Sequence, residues 1–158
     1  MPMLSERLRE RWISTGISVR PGIHPGEVRA FESRYGVSLP PDLWDYFTTV
    51  DGMERWESDE DLLEFLHLGA VKSVPEELAD FRGIPDYGNI VNTLPNSERY
   101  FIIADFMLAS YVYTIRLAED ASQETPVVWI CGDQYARIAD SFTEFGEKYL
   151  AGGVRALL

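Results

Sequence analysis

FESRYGVSLPPDLWDYFTTVDG, residues 31–52, contains two apolar stripes at helical spacing on either side of a turn. The first stripe ends at Gly36, the kind of residue that ends a helix in the left-handed conformation. Two prolines follow and fix the direction in which the chain leaves the turn. The second stripe ends at another glycine. The stretch therefore predicts a helix, a sharp corner and a second helix, with Phe31, Leu43 and Phe47 buried in the core.

Helical patterns also occur at the two ends of the chain. Leu4, Leu8 and Trp12 lie four residues apart and predict a first helix at about 3–15. Near the other end, Ser141 begins a capping box that predicts a closing helix. Between the first two helical patterns, the two Pro-Gly pairs of VRPGIHPGE predict a loop.

Strand-like segments occupy the second half of the chain. EFLHL is short enough to leave strand and helix open, whereas RYFIIADF predicts a buried strand and SYVYTIRL alternates as strands do. PVVWIC is placed to pair back antiparallel after a polar hairpin loop. Helices therefore come first, then strands, then one closing helix. This order predicts an α+β fold with a mainly antiparallel sheet, in a single domain over residues 1–158.

Negative charge is concentrated in one part of the chain. The formal net charge is −12, and the window from residue 42 to residue 64 holds nine acidic residues and one basic residue, Arg55. A field of this sign repels nucleic acid and anionic lipid, and it attracts basic proteins. The sequence therefore predicts a protein partner, with neither nucleic acid nor a membrane as the ligand.

Residues 51–64 are the candidate partner-binding segment, because a tryptophan lies among their acids. A tryptophan can anchor an interface while the surrounding acids steer a basic partner. The alternative interpretation is a solvated acidic loop that keeps the protein in solution. A second candidate is YGNIVN, residues 87–92, for which the alternative is an irregular crossover. The candidate residues of the acidic segment are Asp51, Glu54, Trp56, Glu57, Asp59, Glu60, Asp61 and Glu64.

Residues suited to catalysis and metal binding are scarce. Cys131 is the only cysteine, and His24 and His67 are the only histidines. A cysteine–histidine dyad needs an activated thiol, but Cys131 ends an apolar strand, where a cysteine is usually inert. Counted from Asp51, the acidic segment fails the pattern of a calcium-binding loop. We therefore expect no catalytic residues, no cofactor and no metal.

Neither the start of the chain nor its longest apolar run has the pattern of a membrane segment. MPMLSERLRERW is charged and lacks the apolar core of a secretion signal. The apolar run over residues 100–115 is interrupted by Asp105 and Ser110, and it is short for a membrane span. We therefore expect a cytoplasmic protein.

The opening stretch resembles the signature of the SUKH superfamily, which includes the Smi/Knr-like regulators of yeast cell-wall assembly. EFLHLGAV and FIIAD resemble the first and central strands of that family, and ADSFTEFGEKYL is similar to its closing helix. The resemblance covers residues 24–151, with Asp51 where asparagine is more usual. The matching residues of the opening signature are Glu32, Tyr35, Gly36, Leu39, Pro40 and Gly52.

This resemblance implies an α+β fold and a binding role without catalysis. Many bacterial members are immunity proteins, which bind and neutralise a toxin made by the same cell, and eukaryotic relatives are regulatory modules. We therefore expect an immunity protein with a basic toxin domain as its partner. A nuclease would suit the acidic surface, because acids can occupy sites built for phosphates. The alternatives are a regulatory or scaffolding protein in cell-wall or secretion control, and a small enzyme with an unrecognised site.

Overall fold

The structure is a computed structural model that describes residues 3–81, 83–121 and 123–157. It has an α+β fold in which helices pack on a five-stranded antiparallel sheet, beside a separate two-stranded sheet. The helices are α1 (Leu4–Ser14), α2 (Pro25–Tyr35), α3 (Pro41–Thr49), α4 (Val74–Leu78), α5 (Ile90–Thr93) and α6 (Phe142–Gly152). The strands are β1 (Val19–Pro21), β2 (Val50–Met53), β3 (Leu63–Phe65), β4 (Tyr100–Phe106), β5 (Tyr111–Arg116), β6 (Val127–Cys131) and β7 (Gln134–Ala139).

The predicted helix, corner and second helix are confirmed as α2 and α3. Gly36 follows α2 with a φ of +66°, and its N–H donates to the Glu32 carbonyl at 2.8 Å. The Glu32 side chain holds the corner, because its Oε2 accepts a hydrogen bond from Leu39 N–H at 2.7 Å. The predicted core residues of this region are all buried, namely Phe31, Leu43 and Phe47.

Aromatic side chains join the helices to one face of the main sheet. The strand order is β3-β4-β5-β6-β7, and every neighbouring pair is antiparallel. Phe31 of α2 packs on Phe101 of β4, with 5.5 Å between ring centroids. Phe145 of α6 packs on Phe65 of β3 and Tyr113 of β5, at 5.8 and 5.4 Å. The helices and the sheet therefore share one continuous core.

The sequence analysis missed three strands. The second helix was predicted to end at Gly52, but α3 ends at Thr49 and the next residues form β2. VRPGIHPGE was predicted to be a loop, but its first three residues form β1, which pairs with β2. Three residues with a proline among them are too few for a periodic pattern. No strand was predicted at β7, the edge of the main sheet, because its first four residues are exposed and show no apolar alternation.

The longest helices have 11 residues, and each buries one apolar face. The closing helix α6 begins where the capping box predicts, since Ser141 Oγ accepts a hydrogen bond from Glu144 N–H at 3.1 Å. Phe142, Phe145 and Tyr149 are its buried stripe. Across the described ranges, no helix combines the length and the apolar character that crossing a membrane requires.

Candidate partner-binding surface

The acidic segment 51–64 runs from β2 to β3, and its carboxylates fall into a buried and an exposed group. Asp51, Asp59 and Glu64 are buried, with exposed fractions of 2%, 6% and 6%. These three side chains accept hydrogen bonds from within the protein, so they hold the segment in place. The other acids are partly or fully exposed, namely Glu54, Glu57, Glu60 and Asp61.

Asp59 fixes the middle of the segment to the helices. Its Oδ1 accepts hydrogen bonds from the N–H groups of Asp61 and Leu63, at 2.9 and 3.0 Å. Its Oδ2 accepts the Tyr149 hydroxyl of α6 at 2.7 Å, and that hydroxyl in turn accepts Trp12 Nε1–H of α1 at 3.1 Å. Burial raises the pKa of Tyr149, and the hydrogen bond to Asp59 raises it further. The phenol therefore remains a donor to Asp59 at neutral pH.

Asp51 joins β2 to the turn after β3. Its Oδ1 accepts a hydrogen bond from Leu68 N–H at 2.8 Å, and its Oδ2 lies 3.5 Å from Arg20 Nε. Burial raises the pKa of the Asp51 carboxyl, while the Leu68 N–H and the Arg20 charge act in the opposite direction. The contacts of Asp51 are therefore those of a structural residue.

A cavity of about 390 Å³ lies beside Asp51, between α2 and the turn after β3. Its wall contains the pair of Arg20 and Asp51, and also Arg34, which pairs with Glu76 at 3.4 Å. His67 lines it too, and burial together with nearby arginines lowers the pKa of this histidine. The lining also contains Glu27 and Tyr35, and its described residues include no serine, threonine or cysteine.

Trp56 projects from the acidic segment in a fixed position. Its side chain is 70% exposed, and its backbone has a φ of +71°. The Arg55 guanidinium stacks on the indole, 4.0 Å from the ring centroid. Glu64 holds both residues, because its two oxygens lie 2.8 Å from Arg55 Nη1 and Oε2 accepts Trp56 N–H at 3.1 Å. The tryptophan is therefore an ordered residue on the surface.

The β4–β5 hairpin faces the same loop. Met107 N–H donates to the Leu62 carbonyl at 3.1 Å, which joins the hairpin to the end of the acidic segment. Asp105 Oδ1 accepts Ala109 N–H at 2.6 Å across the hairpin turn. Leu108, at the tip, is 78% exposed. The hairpin therefore presents apolar side chains next to Trp56.

Together the two loops form a groove of about 280 Å³, which we call the Trp56 groove. Four exposed apolar side chains border it, those of Trp56, Leu62, Met107 and Leu108. Its polar lining residues are Glu57, Ser58, Glu64 and Asp105. A cluster of exposed apolar side chains next to polar ones is typical of a protein-binding surface.

Backbone strain is concentrated at this groove. Within the described chain, six non-glycine residues have positive φ, and Asn96 is the one that lies elsewhere. Such a conformation costs about 1–2 kcal/mol for residues other than glycine or asparagine, and strain of this kind tends to cluster at functional sites. The five strained residues of the groove loops are Trp56, Leu62, Met107, Leu108 and Ala109.

Sequence analysis identified the tryptophan side of the groove but not the hairpin side. The missed signal lies in DFMLAS, where Met107 and Leu108 occupy a turn between two strands. Turns of this kind usually carry glycine, asparagine or other polar residues. Exposed apolar side chains are therefore unusual in such a turn, and they were the signal available in the sequence.

The second candidate segment, YGNIVN, supports the groove from inside. Tyr87 is buried, and its hydroxyl donates to the Ala109 carbonyl of the hairpin at 2.8 Å. Ile90, in α5, is buried as well. These contacts fit the interpretation of the segment as an irregular crossover.

Comparison with known protein families gives a match over most of the chain. Residues 22–148 fit the profile of the SMI1 / KNR4 family (SUKH-1). The chain belongs to this family. The matched span begins after β1, ends within α6 and includes both sides of the Trp56 groove. No curated protein matches the chain.

Helix α1 lies outside the family span of this SUKH-1 protein but is part of its core. Leu8 and Trp12 of α1 are fully buried. Trp12 also donates to Tyr149, the residue that holds Asp59. The N-terminal helix therefore supports the acidic segment that carries Trp56.

In this SUKH-1 protein, two of the residues considered for catalysis, Cys131 and His24, have structural contacts. Cys131 Sγ lies 3.4 Å from the Ser110 carbonyl and donates to it. His24 caps α2, because its Nδ1 accepts Gly26 N–H at 2.9 Å. Over the part of the chain that the structure describes, no group of three or more His, Cys, Asp or Glu side chains is arranged to hold a metal ion.

Proposed function

We propose that this SUKH-1 protein is a non-enzymatic, cytoplasmic protein-binding module, and that it acts as an immunity protein that neutralises a cognate toxin. The observation that carries the proposal is the Trp56 groove, which combines exposed apolar side chains, acidic lining residues and a strained backbone. Family membership supports a role in protein binding. The residues proposed to face the partner are Glu54, Trp56, Glu57, Glu60 and Asp61, with Leu62, Met107 and Leu108.

Trp56 is suited to anchor the interface. A buried aromatic residue at the centre of an interface contributes much of its binding free energy. Arg55 stacks on the indole and Glu64 accepts the Trp56 backbone N–H, so little freedom is lost when a partner covers the side chain. Asp51, Asp59 and Glu64 act in this proposal as supports, because their carboxylates are buried.

The exposed acids are proposed to steer a basic partner, such as a nuclease toxin, towards the groove. Charge attraction acts beyond direct contact and mainly raises the association rate, whereas salt screens it over about 10 Å. In the sequence, Asp59 is as suitable for charge reversal as its neighbours Glu60 and Asp61. Asp59 is buried and bonded to three groups, so a steering test must leave it unchanged.

Reversal of Glu60 and Asp61 to lysine is expected to slow association with the partner by about tenfold at low salt. The difference from wild type should shrink as salt rises, because the steering field is screened. Stopped-flow mixing at low and high salt measures this. The control is reversal of Glu98 and Glu119, exposed acids at the sheet end opposite the hairpin. Equal slowing by both pairs would show a general charge effect and contradict steering by the segment.

Replacement of Trp56 by alanine is expected to raise the dissociation rate about 30-fold, equivalent to about 2 kcal/mol. Thermal stability should stay nearly unchanged, because the side chain is mostly exposed. The partner to test is a toxin domain encoded by a neighbouring gene, expressed in a sensitive strain. Wild type and the control Tyr135→Ala, another exposed aromatic residue, should both restore growth. The Trp56→Ala variant should fail to restore growth.

Two results would contradict the proposal in different ways. Rescue by Trp56→Ala as complete as by wild type would place the interface away from the groove. Failure of wild type both to bind and to rescue would contradict immunity. Binding of a cell-wall or secretion protein through the same groove would instead support the regulatory alternative.

A further inference from the structure

The floor of the Trp56 groove is acidic, although its walls are apolar. Glu64 on β3 and Asp105 on β4 stand directly opposite each other in the antiparallel pair, and both line the groove. Like charges placed opposite across two strands repel each other. In the described chain, Arg55 is the cation that reaches this floor, and its Nη1 is already 2.8 Å from both Glu64 oxygens.

Asp105 is left without a counter-charge of its own. Its Oδ1 accepts Ala109 N–H, and no hydrogen bond from the described residues reaches Oδ2. Burial raises the pKa of the Asp105 carboxyl, and the charge of Glu64 raises it further, while the Ala109 hydrogen bond and Arg55 oppose both effects. An incoming cation would stabilise the ionised form of this carboxylate.

The walls of the groove suit a long side chain with methylene groups. Trp56, Leu62, Met107 and Leu108 border the floor, and long basic side chains bury their stems along surfaces of this kind while the charged end finds a polar partner. The indole of Trp56 also offers an aromatic surface. Arg55 already stacks on that ring, so the site favours guanidinium groups.

We propose that the Trp56 groove receives an arginine side chain of the partner protein, with its guanidinium on Asp105 and its methylenes between the indole and Leu108. The assignment rests on the function proposed above. Arginine fits better than lysine, because a guanidinium is planar, weakly hydrated and able to stack on an aromatic ring. An apolar side chain would bury Asp105 without a counter-charge, and an acidic one would be repelled.

The probe for this proposal is N-acetyl-arginine-N-methylamide, titrated into the full chain labelled with ¹⁵N. We expect saturable shifts of the Trp56 indole N–H, assigned with Trp56→Phe, and of the amides from Asp105 to Ala109. Asp105→Asn keeps an acceptor for Ala109 N–H but loses the charge, and it should weaken binding up to about fivefold. Leu108→Ala, at an exposed position, should weaken it as well.

Controls separate the site from general charge attraction. The citrulline analogue has the same shape without the charge and should bind several times more weakly, and the lysine analogue should bind more weakly than arginine. Glu98→Gln, which removes a remote exposed charge, should leave binding unchanged. Equal binding by Asp105→Asn and wild type, equal binding of citrulline and arginine, or shifts spread over all acidic surfaces would overturn the proposal.

This experiment uses no protein partner, so its failure can be told apart from failure of the proposed function. If the arginine analogue did not bind but the protein still rescued cells from the toxin, only the proposal of an arginine site would be contradicted. Arginine binding without any rescue would leave the groove as a guanidinium site and contradict immunity.

Discussion

Replacement of Asp59 by alanine is expected to lower the free energy of unfolding by about 3 kcal/mol. The change removes the acceptor of the N–H groups of Asp61 and Leu63 and of the Tyr149 hydroxyl. The bonds from Leu63 and Tyr149 are buried, so water cannot readily replace the lost carboxylate. A donor left unsatisfied in the interior bears its full desolvation penalty. Urea unfolding followed by circular dichroism measures the effect as a lower midpoint.

The neighbouring acid is the matched control. Glu60 is exposed, and its contact with Arg11 is an ion pair at 3.6 Å on the surface. Glu60→Ala should therefore change stability by no more than about 0.5 kcal/mol. If Asp59→Ala and Glu60→Ala had the same effect, the acidic segment would be held by contacts other than those of Asp59.

Replacement of Phe47 by alanine is expected to lower the free energy of unfolding by more, about 3–5 kcal/mol. The side chain is 1% exposed and lies within the core between α3 and the sheet. Its ring packs edge-on against Tyr46, with 4.9 Å between centroids. Removal of the ring leaves a cavity that close-packed neighbours fill only in part. Calorimetry should show a melting temperature lower by roughly 6–20 °C.

Ser33→Ala provides the comparison for Phe47→Ala on the same pair of helices. Ser33 is exposed on α2, and substitution there should change stability by no more than about 0.5 kcal/mol. A melting temperature of Phe47→Ala equal to that of wild type would show that the helix–corner–helix is not the foundation of the core.

Elements that bury one periodic stripe could be predicted from the sequence. α1, α2, α3 and α6 each place apolar residues at helical spacing, and each ends near a glycine or begins at a capping residue. These signals are local, because they depend on the contacts of one turn with the next. The α+β class followed from the order of the elements.

Elements held by the backbone alone could not be predicted. β1 and β7 form because another strand offers hydrogen-bond partners, and their side chains contribute no clear apolar pattern. Strand pairing of this kind is specified by the partner strand more than by the sequence of the strand itself. β7 also shows why an edge strand resembles a loop in sequence: most of it is exposed on both faces.

The sequence by itself determined the family, the negative charge and the presence of a tryptophan among acids. Only the tertiary structure decided which acids face solvent. Asp59 and Glu60 are adjacent and chemically alike. Asp59 is buried and accepts a hydrogen bond from Tyr149, whereas Glu60 is exposed. The difference arises from the path of the backbone, which the core of α1 and α6 imposes on the loop.

The groove likewise exists only in three dimensions. Leu62 and Met107 are distant in sequence and meet because β3 and β4 pair antiparallel, which brings the end of the acidic segment against the hairpin. Asp105 and Glu64 become the floor through the same register. Composition and periodicity describe neighbours along the chain, whereas this surface depends on contacts between strands, and those are set by the packing of the whole fold.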